Sequence, residues 1–213
     1  MNVLELFAGS QSFANAAKKL KFNTFSTDIN NFEGIDLVCD IMHIKLNLIP
    51  FKPDIIWASP PCTSFSVASI SSYWKGGKGA YVPKKAEAYI GMALVQKTKD
   101  IIEKLKPKYW YIENPRGVLR KLDVVQDLPI RNTVWYCTYG DKKAKPTDIW
   151  TNDVTWTPRP VCKNGNPKCH YQHAPRGAKT GTQGLKGNYE RSIVPKQLCQ
   201  EILLNIRKQN DIN

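Results

Sequence analysis

Cys62 follows a short apolar run, residues 55–58, and two prolines, Pro60 and Pro61. The apolar run predicts a buried strand, and the prolines end it because they cannot continue a ladder of backbone hydrogen bonds. A cysteine at the carboxyl end of such a strand lies where open α/β sheets place their chemistry. Its thiolate could act as a nucleophile. The alternative is a cysteine that packs as a small buried hydrophobe.

Glu113 ends a second apolar run, residues 109–112, and is followed by Asn114 and Pro115. An unpaired buried carboxyl group is costly, so a glutamate at this position indicates a function or a charged partner. If the two runs are neighbouring parallel strands, they deliver Cys62 and Glu113 to the same edge of a sheet. The alternative is a capping or ion-paired acid.

The amino-terminal residues predict the strand, turn and helix that open a nucleotide-binding α/β unit. Residues 3–7 read as a strand, residues 8–12 as a turn of small residues, and residues 13–20 as a helix. The single Gly9 is weaker than the three glycines of a dinucleotide fingerprint. Asp28 ends the next predicted strand, where such folds place an acid on the ribose hydroxyls; a cap or turn residue is the alternative.

The remaining elements complete a single α/β domain. They are a strand over 35–39 ending at Asp40 and Ile41, a helix over 86–104 with apolar positions Ile90, Ala93, Leu94, Ile101 and Ile102, strands over 134–139 and 149–151, and a helix over 195–207. The polar, glycine-rich segment 66–85 carries Lys75 and Lys78 among aromatic residues. Its length and composition favour a lid that meets nucleic acid, with a disordered solvent loop as the alternative.

The composition indicates a basic protein that works in a reducing compartment. Among 213 residues, 31 lysines and arginines face 18 acids, and the net charge of +13 favours a polyanionic partner such as nucleic acid. No apolar run approaches the roughly 18 residues of a membrane span, and the amino terminus does not resemble a signal peptide. We therefore expect a cytoplasmic protein without a membrane partner, whose six cysteines are thiols or ligands rather than disulfides.

Four potential metal ligands, Cys162, Cys169, His170 and His173, lie within a dozen residues of a loop-rich region. A structural zinc ion there would order a piece of chain too small to have its own core. The spacing differs from a standard paired knuckle, and Cys137 is a further candidate ligand. Unpaired thiols and exposed histidines beside DNA phosphates are the alternative.

Three motifs in this order give the chain a family resemblance: Leu-Phe-Ala-Gly at residues 6–9, Ser-Pro-Pro-Cys at 59–62 and Glu-Asn-Pro at 113–115. The chain resembles the S-adenosylmethionine-dependent DNA (cytosine-5)-methyltransferases over most of residues 1–151 and again around 191–206. The resemblance implies a Rossmann-like sheet with helices on both faces. It also implies a catalytic domain at 1–151, a reduced target-recognition region at 152–188 and a returning helix at 189–213.

The resemblance implies that the Cys62 thiolate adds to carbon 6 of a flipped cytosine and that carbon 5 then accepts the methyl group. Glu113 would hold or protonate N3 of that base. Lys143 and Lys145 fit the spacing of the family's Gln-Xaa-Arg-Xaa-Arg motif, with Asp141 in place of glutamine. Lys145 is therefore the nearest candidate for a residue that touches the base, although lysine cannot form the bidentate fork of arginine.

The resemblance also implies a site for S-adenosyl-L-methionine and a double-stranded DNA partner, bound by a monomer. The implied cofactor residues are Phe7, Ala8, Gly9, Ser10, Asp28, Ile29, Asp40, Ile41, Pro61, Leu94, Ser192 and Val194. The implied DNA contacts are Ser66, Lys75, Lys78, Lys143, Arg176 and Lys179.

The chain departs from the family where Ser10 and Ser12 replace glycines, where Arg191 and Ser192 replace Gly-Asn, and where the target-recognition region is small. These departures leave two alternatives open. One is a methyltransferase-like DNA-binding protein with little or no turnover. The other is an enzyme of the same fold that acts on RNA or on a modified pyrimidine.

Overall fold

The computed structural model describes residues 1–77, 80–162, 166, 169 and 187–211, with only the backbone of Asn188. The strands are β1 (Asn2–Leu6), β2 (Asn23–Asp28), β3 (Leu37–Val38), β4 (Ile55–Ala58), β5 (Trp74–Gly77), β6 (Ala80–Pro83), β7 (Tyr109–Pro115), β8 (Ile130–Trp135) and β9 (Pro146–Thr151). The α-helices are α1 (Ser12–Lys19), α2 (Ile70–Tyr73), α3 (Ala86–Leu105), α4 (Asn188–Ser192) and α5 (Lys196–Asp211).

Seven strands in the described part of the chain form one sheet in the order β3-β2-β1-β4-β7-β9-β8. The first five in this order run parallel, whereas β9 is antiparallel to both β7 and β8. The chain builds outward from β1 to β3, then returns to place β4 on the other side of β1. This reversal opens a crevice at the carboxyl ends of β1 and β4, where open α/β sheets bind their ligands.

Helices cover both faces of the sheet, as the sequence predicts. On one face, α1 and α5 bury Phe13, Leu198 and Ile202, and the Phe13 ring stacks on Trp57 of β4 at 4.6 Å between centroids. On the other face, α3 and the short 3₁₀ turns pack against Leu4, Ile56 and other strand residues. Because both faces are covered, β4 is apolar and buried along its whole length rather than alternating.

Helix α3 lies where the sequence predicts and buries the predicted Ile101, but the predicted Ile90 and Ala93 are exposed. The buried side chains are Ala88, Val95, Thr98 and Ile101, together with Gly91, whereas Ile90 is 56% exposed. A methyl group at Gly91 would lie only 2.9 Å from the Phe65 ring, so small residues face the sheet here. Close approach to the Cys62 loop therefore outweighs the larger apolar residues in setting the orientation of α3.

The described residues of segment 66–85 are largely in regular secondary structure, which corrects the expectation of a long loop. It contains a 3₁₀ turn (Val67–Ser69), helix α2 and the antiparallel hairpin β5–β6. The buried Trp74 indole donates a hydrogen bond of 2.7 Å to the Ser64 carbonyl. This contact anchors the hairpin beside the Cys62 loop, and Lys75 remains exposed on it. Lys78 lies outside the described residues.

Residues 134–139 are not a single strand, which corrects a second expectation. Strand β8 ends at Trp135, and Tyr136–Tyr139 form a 3₁₀ turn that buries Tyr136, Cys137 and Tyr139. The chain must reverse here to pair β8 with β9, and Gly140 supplies the left-handed conformation at the end of the turn (φ 86°). Aromatic residues that resemble a strand in sequence therefore point inward from a turn.

Helix α5 confirms the predicted carboxyl-terminal helix and extends it to Asp211. It packs against α1, so this end of the chain returns to the amino-terminal unit of the sheet. Within the described ranges, no helix combines the length and apolar character needed to cross a membrane.

Candidate active site

Cys62 and Glu113 reach the site on neighbouring parallel strands. In the register of β4 and β7, Ala58 lies opposite Ile112, so Glu113 stands one residue past the last β4 pair. The side-chain amide of Asn114 donates to the Pro60 carbonyl at 2.8 Å within the protein interior. This bond ties β7 to the loop that carries Cys62, and the sheet therefore brings the predicted pair to one edge.

The loop after Cys62 is fixed from a second direction by the chain that follows β7. The Phe65 carbonyl accepts a hydrogen bond of 2.9 Å from Val118, and Ser66 forms an isolated bridge with Gly117. A methyl group on Gly117 would lie 2.0 Å from the Phe65 oxygen, so only glycine permits this approach. The segment 60–66 is thus held at one end by β7 and at the other end by the residues that follow β7.

Glu113 is buried, with 4% of its surface exposed, and its carboxyl group has two polar neighbours. The Tyr136 hydroxyl donates to Glu113 Oε1 at 2.9 Å. The Lys145 ammonium lies 3.9 Å from the same oxygen. A buried carboxyl group with an aromatic hydroxyl and a cation beside it is oriented rather than free to rotate.

Lys145 connects this carboxyl group to the chain near the carboxyl terminus. Its ammonium donates to the Arg191 carbonyl at 2.9 Å and lies 4.7 Å from the centroid of the Tyr136 ring. Lys145 also has a φ of 24°, an uncommon conformation for a residue with a side chain. Strained backbone conformations of this kind are common at functional sites, where contacts with the surrounding structure hold the residue in place.

Burial raises the pKa of the Cys62 thiol above its ordinary value of 9.0, and the negative charge of Glu113 acts in the same direction. The positive charges of Lys145 and Arg191 act in the opposite direction and lower it. Cys62 therefore lies among the groups that surround Glu113. The thiolate, which is the nucleophilic form, depends on these cations for its stability.

The turn of residues 7–12 after β1, which we name the cradle, lies next to Asp28. The Gly9 N–H donates to Asp28 Oδ2 at 2.9 Å, and both Phe7 and Gly9 have positive φ values of 55° and 39°. Chain from the carboxyl-terminal region reaches the same turn, because the Val194 N–H donates to the Ser12 hydroxyl at 3.1 Å. The structure thus joins the two distant parts of the predicted cofactor set.

The residues around this cradle suit an adenosine group. Ile29 is 66% exposed beside the half-buried Asp28 carboxylate, so an apolar surface for a purine adjoins an acceptor for ribose hydroxyls. Asp40 caps a 3₁₀ turn through the Met42 N–H at 2.9 Å, and Ile41 is buried behind it. The residues present therefore fit S-adenosylmethionine: the Asp28 carboxylate can accept from ribose hydroxyls, and the isoleucines offer an apolar surface to the adenine. A groove of about 820 Å³ also borders the turn through Ser10 and Val194, but Asp28, Ile29 and Asp40 do not line it.

The other predicted site residues are distributed as follows. Pro61 is exposed, Ser66 and Leu94 are half-buried, and Ser192 is exposed. Lys143 is buried rather than presented to a partner, because its ammonium lies 3.4 Å from both Asp141 Oδ2 and the Glu190 carbonyl. This position suits attachment of α4 better than contact with DNA. Arg176, Lys179, His170 and His173 lie outside the described residues, whereas Cys162 and Cys169 lie beside Cys137.

Two residues at the site were not predicted from the sequence. The Tyr136 hydroxyl contacts Glu113, and the positive charge of Arg191 lowers the pKa of the Cys62 thiol. The sequence predicts a strand over 134–139 that includes Tyr136, whereas the burial of Tyr136 depends on the 3₁₀ turn. Arg191 replaces a glycine of the family's closing motif, and its influence on Cys62 follows from the return of the chain to β1.

Comparison with known proteins gives consistent results. Residues 1–127 match the family described as C-5 cytosine-specific DNA methylase. A protein of Frog virus 3 (isolate Goorha), named probable DNA (cytosine-5)-methyltransferase, is 28% identical over an alignment 214 residues long. The alignment covers 95% of this chain and 99% of the viral protein. Among solved structures, an Escherichia coli protein described as a prophage-encoded DNA modification methyltransferase superimposes with a TM-score of 0.52 at 14% identity, covering 96% of this chain and 69% of that protein.

Proposed function

The chain belongs to the C-5 cytosine-specific DNA methylase family, and we propose that it methylates carbon 5 of cytosine in DNA through a covalent bond between Cys62 and carbon 6. The observation that carries this proposal is the placement of Cys62 in the loop after β4 and of Glu113 in the adjacent parallel strand β7, joined by the Asn114–Pro60 hydrogen bond. A nucleophile and a carboxyl group held at one sheet edge are what addition to a pyrimidine ring requires.

Cys62 supplies the electron pair that activates the base. Its thiolate adds to carbon 6, and the ring electrons move toward carbon 5, which becomes enamine-like and able to accept a methyl group. Bound S-adenosyl-L-methionine supplies an electrophilic methyl group on its sulfonium. The carbon 5 proton then leaves to a base, the carbon 5–carbon 6 double bond forms again, and the Cys62 sulfur departs as thiolate. No oxidant or reductant enters this sequence.

Glu113 acts on the opposite side of the ring from the reacting carbons. Negative charge develops toward N3 as the thiolate adds, and a carboxyl group there can hold or donate a proton. The Tyr136 hydroxyl and the Lys145 ammonium, at 2.9 and 3.9 Å from Oε1, keep that carboxyl group in one orientation. Lys145 serves in addition as a fixed positive charge that favours the Cys62 thiolate.

The cradle after β1 is the proposed site of S-adenosyl-L-methionine. Asp28 would accept hydrogen bonds from the ribose, and Ile29 with Ile41 would border the adenine. Phe7 and Gly9 would shape the turn beneath the methionine part, with Pro61 beside it. Since Pro61 immediately precedes Cys62, the cofactor site and the nucleophile share one loop.

The buried position of Glu113 requires that a target base leave the helix to reach the site. Loss of stacking costs a few kcal/mol, which the net charge of +13 helps to offset through contacts with the phosphate backbone. Among the proposed DNA contacts that the structure describes, Lys75 is the exposed lysine. It lies on the hairpin beside the Cys62 loop and can contact a phosphate from there. Arg176 and Lys179 remain proposals of the same kind.

The test is methyl transfer from S-adenosyl-L-methionine labelled in its methyl group to double-stranded DNA, RNA or free cytidine nucleotide, followed by digestion to nucleosides. We expect label in 5-methyldeoxycytidine from DNA, with none for Cys62→Ser. Cys39→Ser is the matched control, because Cys39 is a half-buried thiol at the end of β3. Label in RNA alone, or at another atom of the base, would overturn the proposal. Absence of transfer to any acceptor would favour a protein that only binds.

A further inference from the structure

Three cysteines, of which Cys137 is distant in sequence from the other two, lie close together. The sulfur atoms of Cys137, Cys162 and Cys169 all lie within 4.8 Å of one another. Cys137 belongs to the buried 3₁₀ turn Tyr136–Tyr139, whereas the other two follow β9. Cys137 and Cys162 are buried and Cys169 is half-buried, so the cluster lies at the base of the region expected to select the target.

The spacing of the sulfur atoms suits a shared metal ion better than a disulfide. Zinc binds thiolates at about 2.3 Å in a tetrahedron, which places the sulfur atoms about 3.8 Å apart. A disulfide would bring two sulfur atoms to about 2 Å and leave the third thiol without a role. Convergence of three thiols satisfies the ligand preference of zinc, for which soft sulfur ligands are favourable.

Contacts independent of the sulfur atoms hold the two pieces of chain together. The Arg159 guanidinium donates to the Thr138 carbonyl at 2.8 Å, and the Arg159 backbone N–H donates to the Tyr139 hydroxyl at 2.9 Å.

The Asn166 side-chain amide lies 3.7 Å from the Cys162 sulfur, with its N–H directed to that atom. Donors aimed at sulfur are a common outer shell of metal-bound thiolates, because they stabilise the negative charge.

We propose that Cys137, Cys162 and Cys169 bind a structural zinc ion that fastens the chain after β9 to the turn carrying Tyr136. Binding releases one proton from each thiol, since zinc takes thiolates as ligands. The fourth position of the tetrahedron is open to a ligand outside this cluster. Compared with the set expected from sequence, Cys137 joins Cys162 and Cys169, while His170 and His173 lie outside the described residues.

A metal ion is useful at this place because the described residues that connect Cys162 and Cys169 to β9 form no helix or strand. Among the described residues between Thr151 and Asn188, no helix or strand is present. A structural zinc ion stabilises small regions of chain that lack regular secondary structure. The ion would therefore fix this segment relative to Tyr136 and, through its hydroxyl, to Glu113.

The first test measures metal in the full-length chain purified without chelator from zinc-supplemented cells. Elemental analysis should give about one zinc per chain, with loss in Cys137→Ser and in Cys162→Ser. Cys39→Ser should retain the metal, because Cys39 lies at the end of β3 and not in the cluster. Less than about half an equivalent in fresh wild-type protein, or full retention in both cluster variants, would overturn the proposal.

The second test needs no cluster variant and so remains decisive if those variants fail to fold. Wild-type protein and Cys39→Ser are stripped of metal and titrated with cobalt(II), which reports thiolate bonds by near-ultraviolet charge-transfer absorption and tetrahedral geometry by intense visible bands. Both features should appear and saturate at about one cobalt per chain, and zinc should then displace them. Weak octahedral absorption without charge transfer would overturn the proposal. Because Cys62 is not in the cluster, this result is independent of whether methyl transfer occurs.

Discussion

The side-chain amide of Asn114 donates a buried hydrogen bond to the backbone carbonyl of Pro60, at 2.8 Å. Glu113 immediately precedes Asn114 in β7, and Cys62 follows Pro60 by two residues. This hydrogen bond therefore joins the strand that carries the carboxyl group to the loop that carries the thiol. The bond links the Glu-Asn-Pro motif directly to the Ser-Pro-Pro-Cys motif.

Asn114→Asp should lower the turnover number by about tenfold or more, because a carboxylate cannot donate to the Pro60 carbonyl and places negative charge against it. We expect a loss of about 1–3 kcal/mol in the free energy of unfolding as well. Asn152→Asp is the matched control, since Asn152 donates to the Lys108 carbonyl at the other end of β7, at 3.0 Å. It should affect stability but not turnover. Equal turnover for the Asn114 variant and wild type would contradict this account.

Tyr136→Phe should reduce kcat/KM by about tenfold, because it removes a hydrogen bond to the Glu113 carboxyl group worth about 1–3 kcal/mol. The aromatic ring remains, so the packing and the contact with Lys145 persist. Tyr139→Phe is the control within the same turn, because its hydroxyl contacts Glu201 instead. Steady-state methylation kinetics distinguish the two, and an equal effect of both would show that only the stability of the turn matters.

The alkylation of Cys62 by iodoacetamide should accelerate with pH and reach its midpoint above 9. Burial raises the thiol pKa above 9.0, so the reactive thiolate is scarce below that value and accumulates as pH rises through the folded-state pKa. Lys145→Gln removes the cation that lowers this pKa most and should move the midpoint to higher pH. Lys142→Gln, on the exposed side of the same loop, should leave it in place. A midpoint well below 9, or one insensitive to Lys145, would contradict the assignment of charges.

Glu5→Gln should remove a pH dependence from the stability of the protein. Burial raises the pKa of Glu5 from 4.5 to about 7, even though its carboxyl group accepts hydrogen bonds from the Ala14 and Phe13 backbone N–H groups. The folded state therefore favours the protonated form. Its stabilising contribution is complete below pH 4.5 and is lost as pH rises to about 7, a change of about 3 kcal/mol.

Urea unfolding of wild type and variant across this range measures the difference. The free energy of unfolding of Glu5→Gln relative to wild type should rise by about 3 kcal/mol between pH 4.5 and 7.5. Glu103→Gln, an exposed acid on α3, should show no such trend. A flat difference for the Glu5 variant would mean that its carboxyl group is not buried in solution.

The sequence predicts the positions of Cys62 and Glu113 well because continuous apolar runs identify central parallel strands, and the residues after such strands share an edge. The neighbourhood of β4 and β7 follows from that reasoning and is confirmed by their register. Asp28 at the end of β2 follows in the same way. These are consequences of local pattern and of sheet geometry alone.

Other parts of the site depend on packing that a local pattern does not contain. Tyr136 lies in a reversal of the chain whose residues alternate like a strand, and only the pairing of β8 with β9 shows that the chain turns there. The buried face of α3 is set by how closely Gly91 approaches Phe65 rather than by the size of Ile90. The sequence left Cys137 as one of several possible ligands, because its approach to Cys162 requires contacts across 25 residues of chain.

The most direct test of the central claim is covalent capture of Cys62 by double-stranded DNA that contains 5-fluorocytosine, with S-adenosyl-L-methionine present. Fluorine at carbon 5 cannot leave as a proton does, so the bond from sulfur to carbon 6 should persist through denaturing electrophoresis. Wild type and Cys39→Ser should both form the complex, and peptide mapping should place the DNA on Cys62. Methylation of ordinary DNA without such a complex, or a complex that survives in Cys62→Ser, would contradict Cys62 as the nucleophile.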